Sequence, residues 1–183
     1  RILVQRGIAD RFIPLLAEGM SALRIGHGLK AGTQVGPLIS DKAVAKVERL
    51  VADAVARGAQ VLTGGTRSGK RAFHPTLLAG VTPDMACFRE EVFGPVAPVT
   101  VFDTEEEATA LANNTPHGLA AYVYTRDLAR SWRMGEALEY GMVGLNTGLI
   151  STAVAPFGGV KESGIGREGS RHALEEFTEM KYF

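Results

Sequence analysis

The order of apolar and polar residues predicts two helices in the first third of the chain. The first helix is predicted between Ile8 and Leu23, where apolar residues recur at helical spacing on one face that we interpret as core: Ile8, Phe12, Leu15, Leu16, Met20 and Leu23. The second helix is predicted to begin after Ser40, a favourable N-cap residue, and to end at Gly58. The apolar face of this second helix consists of Val44, Val47, Val51 and Val55.

Residues 98–145 alternate between predicted strands and predicted helices. The three predicted strands are Val99–Phe102, Leu119–Tyr124 and Met142–Leu145. A capping box at Thr104–Glu107 begins the helix between the first two strands, and a helix with Trp132 lies between the last two. This order indicates parallel strands joined by right-handed crossovers, and therefore an α/β fold.

A long glycine-rich segment, Asn146–Ser170, follows the last of these strands. It contains six glycines and one proline, which exclude a long helix, but its apolar residues argue against disorder. Long irregular segments of compact domains are usually functional when they are ordered. Because parallel sheets bind ligands beyond the carboxyl ends of their strands, this segment is expected to line a site. A buried glycine-rich connection without a ligand is the alternative.

Composition narrows the classes of partner. Twenty basic residues balance twenty acidic ones, so nothing favours nucleic acid or an anionic membrane surface. No apolar run approaches the roughly 20 residues of a membrane span. The four histidines show no metal-ligand spacing, so no metal site is predicted. A single cysteine excludes an internal disulfide, and we expect a reducing, cytoplasmic location.

Two glycine-rich stretches have the spacing of nucleotide-binding motifs, and the one cysteine could in principle be a nucleophile. Each lacks the neighbouring residues that such a site needs. Gly64–Lys70 has the spacing of a phosphate-binding loop, yet Arg71 follows where Ser or Thr would hold magnesium, so we predict a solvated hairpin tip. Gly164–Gly169 has dinucleotide-type spacing without a preceding strand. Cys87 has no recognisable base beside it and is predicted to be a small core residue.

Four further motifs occur in order along the chain. They are Gly36–Ile39, Glu90–Pro95, Asn114–Ala121 and Pro156–Glu168. With these motifs, the whole sequence resembles the aldehyde dehydrogenase superfamily. The stretch from Gly141 to Ser170 is similar to the succinate-semialdehyde dehydrogenase branch in particular.

The resemblance implies the parallel-sheet α/β catalytic domain of aldehyde dehydrogenases. Residues 1–177 would form that domain without its nucleophile, and residues 178–183 would begin a C-terminal oligomerisation strand of a homodimer or homotetramer. In the family, a nucleotide-binding domain and the nucleophilic cysteine precede the position of Arg1. The chain begins without Met, and we interpret it as a fragment that is inactive by itself.

The activity that the resemblance implies is oxidation of an aldehyde to the carboxylic acid with NAD or NADP. A cysteine thiolate attacks the aldehyde, and the thiohemiacetal gives a hydride to the cofactor. A water molecule activated by a glutamate then hydrolyses the thioester. Nothing in this sequence decides between NAD and NADP, because the missing nucleotide-binding domain makes that choice.

Three residues match family positions near the cofactor and the catalytic base. Glu91 matches the acid that binds the hydroxyls of the nicotinamide ribose, a diol to which a carboxylate offers two acceptors. Phe93 matches the aromatic residue that packs near the same ribose. Glu168 matches an acid linked by hydrogen bonds to the catalytic base. Without the resemblance, the two acids are interpreted as an exposed charge and a helix-terminal charge.

Three further residues match family positions near the substrate. Ser151 matches the serine that holds the substrate carboxylate in the succinate-semialdehyde branch, and Phe157 matches the aromatic residue of the substrate tunnel. Asn146 matches a position close to the junction of cofactor and substrate. The alternatives are a turn residue for Ser151 and a core residue for Phe157. Ala153 departs from the branch, which often carries an acid there.

Three hypotheses stay open at this point. The first is a part of an NAD(P)-dependent aldehyde dehydrogenase that acts on succinate semialdehyde. The second is an aldehyde dehydrogenase of another substrate branch. The third is a non-catalytic α/β binding or assembly module. A Gly-Gln-x-Cys-like segment upstream of Arg1 would separate an enzyme from such a module.

Overall fold

The computed structural model describes residues 1–183, which divide into two compact units, residues 1–104 and residues 105–183. The first unit contains β1 (Ile2–Gln5), α1 (Arg6–Ser21), α2 (Asp41–Ala56), β2 (Gln60–Thr63), β3 (Thr76–Ala79), α3 (Ala86–Arg89) and β4 (Val96–Phe102). The second contains α4 (Glu105–Asn113), β5 (His117–Gly118), β6 (Ala120–Val123), α5 (Leu128–Ala137), β7 (Met142–Leu145), β8 (Val160–Lys161) and a 3-10 helix (Arg171–Phe177). None of these helices is long and apolar enough to cross a lipid bilayer.

The first unit is built around a four-stranded sheet in the order β1-β4-β3-β2. β4 lies parallel to both neighbours, pairing with β3 over Val96–Pro98 and with β1 over Val99–Phe102. β2 is antiparallel to β3, and the connection between them contains Gly64–Lys70. The predicted hairpin tip is thereby confirmed, because a strand rather than a helix follows it.

α1 packs on this sheet through a face that includes Ala9, Ile13 and Leu16. The buried residues at this contact are Val4, Ala9, Leu77 and Val99. Ile8, Phe12 and Leu15 are 52%, 38% and 66% exposed, so the prediction that they belong to the core is wrong for this chain. The physical reason is that α1 is apolar on two sides, and only one side of a helix can face a given sheet.

α2 begins and ends as its sequence predicts. The backbone N–H of Ala43 donates to the Ser40 hydroxyl at 3.1 Å, and Gly58 follows the helix with a φ of +100°. Val55 is 47% exposed, so the predicted face is wrong at that position. The buried face consists of Val44, Val47, Leu50, Val51 and Ala54.

The second unit has two small pairs of strands. β6 and β7 are parallel, with Ala120 opposite Met142, and α5 connects them as the strand–helix–strand pattern predicts. β5 and β8 are antiparallel. The prediction that β4 continues the β6–β7 sheet is wrong. Both hydrogen-bonding edges of β4 are occupied by β1 and β3, and a local pattern does not specify which strands pair.

The chain ends in residues 178–183, which form no strand in this structure. Thr178 has extended backbone angles (φ −129°, ψ 148°), which suit a strand, but a strand needs a partner to form its ladder. The side chains of Met180, Tyr182 and Phe183 are fully exposed. The C-terminal oligomerisation strand therefore stays a prediction.

Candidate functional site

Glu91 and Phe93 lie together on an exposed turn after α3. The Glu91 carboxylate forms no hydrogen bond or ion pair within the chain, so its acceptor sites are open. The Phe93 side chain is 75% exposed, and its backbone φ of +47° lies in the left-handed region that aromatic residues rarely adopt. A carboxylate with open acceptors beside an exposed ring fits the diol and the hydrophobic face of a nucleotide ribose.

The turn is held by α2 through contacts that the sequence did not reveal. Arg49 donates from Nη1 and Nη2 to the two carboxylate oxygens of Glu90, at 3.1 and 2.6 Å. This guanidinium lowers the pKa of Glu90. Lys46 Nζ donates to the backbone carbonyl of Glu91 at 2.5 Å. Arg49 and Glu90 are 41 positions apart, so no local spacing could have indicated their contact.

Asn146 begins the glycine-rich segment, and its side-chain amide is engaged at both ends. Thr125 donates its backbone N–H to Asn146 Oδ1 at 2.9 Å and accepts from Asn146 Nδ2 at 2.8 Å. The Asn146 backbone N–H donates to the Val123 carbonyl at 2.8 Å, and its φ is +51°. These bonds extend the β6–β7 pairing by one step, so within this chain Asn146 holds the start of the segment.

Glycines in the second unit allow backbone segments to approach each other closely. A Cβ on Gly141 would collide with the carbonyl oxygen of Gly158. A Cβ on Gly118 would lie 2.6 Å from the carbonyl oxygen of Glu139. Real Cβ atoms do not come so near to backbone atoms, so these positions need glycine for packing. Gly118 and Gly141 therefore serve the packing of the backbone in this unit.

Two cations, which the sequence did not single out, fasten the segment. Lys161 Nζ donates to the carbonyl of Asn113 at 3.1 Å, where α4 ends and a positive charge is favourable. Arg167 Nη1 donates to the carbonyls of Gly159 and Gly166, at 2.7 and 2.8 Å. Long side chains that bond to backbone carbonyls thereby fix a path that glycines alone would leave free.

Phe157 and Glu168 are brought together by an isolated antiparallel bridge. The N–H of Phe157 donates to the Glu168 carbonyl at 2.8 Å, and the N–H of Glu168 donates to the Phe157 carbonyl at 2.7 Å. The Glu168 carboxylate is exposed and has no partner within the chain, whereas Phe157 is half-buried. The backbone therefore holds the two residues in a fixed register while the carboxylate stays available.

Ser151 lies on the most exposed part of the same segment. Its hydroxyl has no hydrogen-bond partner within the chain, and the adjacent Thr152 and Ala153 are exposed as well. Val154, the next residue, is 85% exposed. No hydrogen bond joins Ser151 to another predicted site residue, so the hydroxyl is free to donate to a ligand.

Cys87 is a small core residue, as its sequence context predicts. It is 1% exposed within α3, and burial raises the pKa of its thiol. The thiolate is the reactive form of cysteine, so burial disfavours the nucleophile. No group of three or more His, Cys, Asp or Glu side chains in the structure could hold a metal ion.

Sequence comparisons match the full chain. Residues 1–183 match the profile of the aldehyde dehydrogenase family. The chain is 58% identical over 185 residues to the mitochondrial succinate-semialdehyde dehydrogenase of Rattus norvegicus, covering 100% of this chain and 35% of that relative. The chain thus spans about a third of the relative's length. This relative is mitochondrial by name, and the cytoplasmic location of this chain stays a prediction.

Solved structures match as well. The succinate-semialdehyde dehydrogenase from Burkholderia pseudomallei is 54% identical, with a TM-score of 0.95 over 97% of this chain and 37% of that one. The aldehyde dehydrogenase of Mycobacterium tuberculosis, solved with NAD+, is 36% identical, with a TM-score of 0.91 over 98% of this chain and 38% of that one. These matches confirm the α/β fold that the motifs implied. The chain belongs to the aldehyde dehydrogenase family.

Proposed function

We propose that the protein to which this chain belongs is an NAD(P)-dependent aldehyde dehydrogenase that oxidises succinate semialdehyde to the acid. The observation that carries the proposal is 58% identity, along the whole chain, to a relative named for that activity. The exposed, unpartnered hydroxyl of Ser151 supports the choice of a substrate with a carboxylate, because hydroxyls donate strong hydrogen bonds to anions.

In this proposal the first unit contributes to cofactor binding. The Glu91 carboxylate accepts hydrogen bonds from the two ribose hydroxyls beside the nicotinamide, and the Phe93 ring packs against the ribose. When bound, the nicotinamide accepts the hydride of the reaction. The open acceptors of Glu91 and the exposed ring of Phe93 support these roles, because neither side chain has to break a contact within the chain first.

The second unit contributes to the substrate side. Phe157 lines the path of the aldehyde, Asn146 holds the loop at its start, and Glu168 is linked by hydrogen bonds to the base that activates water. The thiolate that attacks the aldehyde comes from elsewhere in the protein, since Cys87 is buried. The 183-residue chain alone should therefore form no NAD(P)H from an aldehyde. Formation that Cys87→Ser abolishes would contradict this.

Replacing Ser151 tests the substrate in the full-length protein. A hydrogen bond to a charged group contributes on the order of 1.5–3 kcal/mol, so Ser151→Ala should lower kcat/KM for succinate semialdehyde by roughly 10- to 150-fold. For an uncharged aldehyde of similar length, kcat/KM should fall by about twofold or less, because that substrate has no carboxylate. Initial rates of NAD(P)H formation, measured with NAD+ and with NADP+, give both comparisons.

Thr152→Ala is the matched control for this substitution. It removes a hydroxyl from the adjacent position, which is also exposed. It should change kcat/KM for either substrate by no more than about twofold. If Ser151→Ala lowers kcat/KM equally for both aldehydes, Ser151 does not bind a carboxylate, and the protein is an aldehyde dehydrogenase of another substrate branch. A full-length protein with no activity toward any aldehyde would favour the non-catalytic module.

We also infer that the full-length protein is a homodimer or homotetramer in which residues 178–183 complete a sheet. The exposed apolar side chains of Tyr182 and Phe183, next to the extended backbone of Thr178, support this role. Deleting Thr178–Phe183 should reduce the mass measured by light scattering to that of a smaller assembly. An unchanged mass would show that the segment is not needed for assembly.

A further inference from the structure

One face of α2 carries three polar side chains that contact the segment after β3. Asp53 Oδ2 accepts from the N–H of Ala86 at 2.8 Å, and the two Arg49–Glu90 bonds follow one helical turn away. Lys46 completes the row through the carbonyl of Glu91. Positions 46, 49 and 53 are three and four residues apart, so they share one side of the helix.

The far end of the turn also rests on α2. A Cβ on Gly94 would lie 2.5 Å from Cγ2 of Val47, which explains why a glycine is needed there. Between these two points the backbone includes Phe93 in its left-handed conformation. A non-glycine residue in this conformation persists only where its surroundings hold it. The contacts with α2 supply that restraint on both sides of Glu91.

We propose that Arg49 is a positioning residue for the cofactor, acting through its ion pair with Glu90. The inference rests on the proposed function, in which Glu91 binds the nicotinamide ribose. Arg49 directs both terminal nitrogens at Glu90, so its ion pair fixes the residue directly before Glu91. Holding a binding segment in place before the ligand arrives reduces the ordering cost of binding.

Charge reversal in the full-length protein tests this role. Arg49→Glu places two like charges together and should raise the Kd for the dinucleotide by about fivefold, as expected for a partly exposed ion pair. Glu90→Arg should have a similar effect. The double variant restores opposite charges and should return the Kd to within about twofold of the wild type. Titrations with NAD+ and NADP+, followed by protein fluorescence, measure these constants.

The kinetic signature separates positioning from general damage. With dinucleotide at saturation, KM for the aldehyde and kcat should change by less than about twofold in Arg49→Glu. The matched control is Arg67→Glu, which breaks the ion pair of Arg67 with Glu48 on the same helix, at similar exposure. Arg67 lies on the β2–β3 hairpin, so this variant should leave the dinucleotide Kd unchanged.

Glu91→Gln distinguishes failure of this inference from failure of the proposed function. If Glu91→Gln weakens dinucleotide binding and Arg49→Glu does not, the positioning role is wrong while the cofactor role of Glu91 stands. If Glu91→Gln has no effect, both are wrong. If the double variant fails to recover, or Arg67→Glu weakens binding equally, the effect of Arg49 is general loss of structure and the proposal is overturned.

Discussion

Each of the two units is stabilised internally, and the kind of interaction differs between them. In the first unit, α1, α2 and the sheet bury a core of aliphatic and aromatic side chains that includes Leu50, Phe73 and Leu77. In the second unit, the only buried apolar side chains are Ala108, Met134 and Leu138. There, closely packed glycines and side chains that bond to backbone carbonyls carry much of the order.

The difference shows how a segment can be ordered without a large core. Glycine has no side chain to bury, but it allows backbones to meet, and polar side chains can then hold the resulting path. Ser151 and Glu168 therefore point outward from a fixed backbone rather than into a core. In the first unit an apolar core supports α2, whose polar side chains hold the turn with Glu91, whereas in the second unit a hydrogen-bonded framework positions the segment with Ser151.

The largest effect is expected from a cavity in the first unit. Leu77 is fully buried, and Leu77→Ala should lower the free energy of unfolding of this unit by about 2–5 kcal/mol. Leu77→Met keeps most of the volume and should cost less than about 1.5 kcal/mol. Hydrogen exchange of peptides from the full-length protein measures each unit separately. An equal loss of protection in residues 146–170 would contradict the difference between the units.

A methyl group on a glycine should have the next largest effect, in the second unit. Gly141→Ala forces its Cβ against the Gly158 carbonyl and should destabilise this unit by about 1–3 kcal/mol, seen as faster exchange in residues 146–170. Gly135→Ala is the control, because no atom within 4 Å obstructs a Cβ at this position in α5. It should be neutral or stabilising by up to about 1 kcal/mol. Equal behaviour of the two variants would exclude close backbone packing as the reason for Gly141.

The smallest expected effect is a pH dependence of the thermal stability of the second unit. Hydrogen bonds from Arg133 and Arg130 lower the pKa of Glu105 from 4.5 to about 2. Because the folded-state pKa is depressed, the contribution of Glu105 to stability is present above pH 4.5 and is lost as the pH falls toward 2. The difference in Tm between wild type and Glu105→Gln should therefore be visible at pH 6 and should disappear as the pH falls from 4.5 toward 2.

Glu106→Gln is the control for that measurement, since the adjacent Glu106 accepts no hydrogen bond from Arg130 or Arg133 and acts on Arg133 only through its more distant charge. It should leave the Tm nearly unchanged across the same pH range. A Tm difference for Glu105→Gln that does not depend on pH would mean that the charge of Glu105 does not contribute through its ion pairs.

Local signals predicted several of the helices and strands. The cap at Ser40 and the stop at Gly58 bound α2, and the strand predicted at Met142–Leu145 is β7. Arg71, in place of the Ser or Thr of a phosphate-binding loop, correctly predicted a hairpin tip at Gly64–Lys70. Such features depend on residues within a few positions of each other, so the sequence itself contains the information.

Contacts between distant residues were not predictable in the same way. The pattern around Val99–Phe102 indicated a strand but not that β1 and β3 occupy both of its edges. The bonds of Arg49 to Glu90 and of Lys161 to Asn113 join residues 41 and 48 positions apart. An arginine on a helix, or a lysine in a two-residue strand such as β8, is usually solvated, so its residue type alone does not reveal a partner.

By itself, the sequence determined the family and the bounds of α2, because motifs and helix caps are local properties. Through the resemblance that those motifs carry, it also indicated Glu91, Phe93, Ser151, Phe157 and Glu168 as candidates. Only the tertiary structure decided which face of α1 meets the sheet, that the amide of Asn146 is engaged by Thr125, and that the carboxylates of Glu91 and Glu168 stay open. Pairing and exposure depend on what the fold brings near each atom, and a one-dimensional pattern does not specify those neighbours.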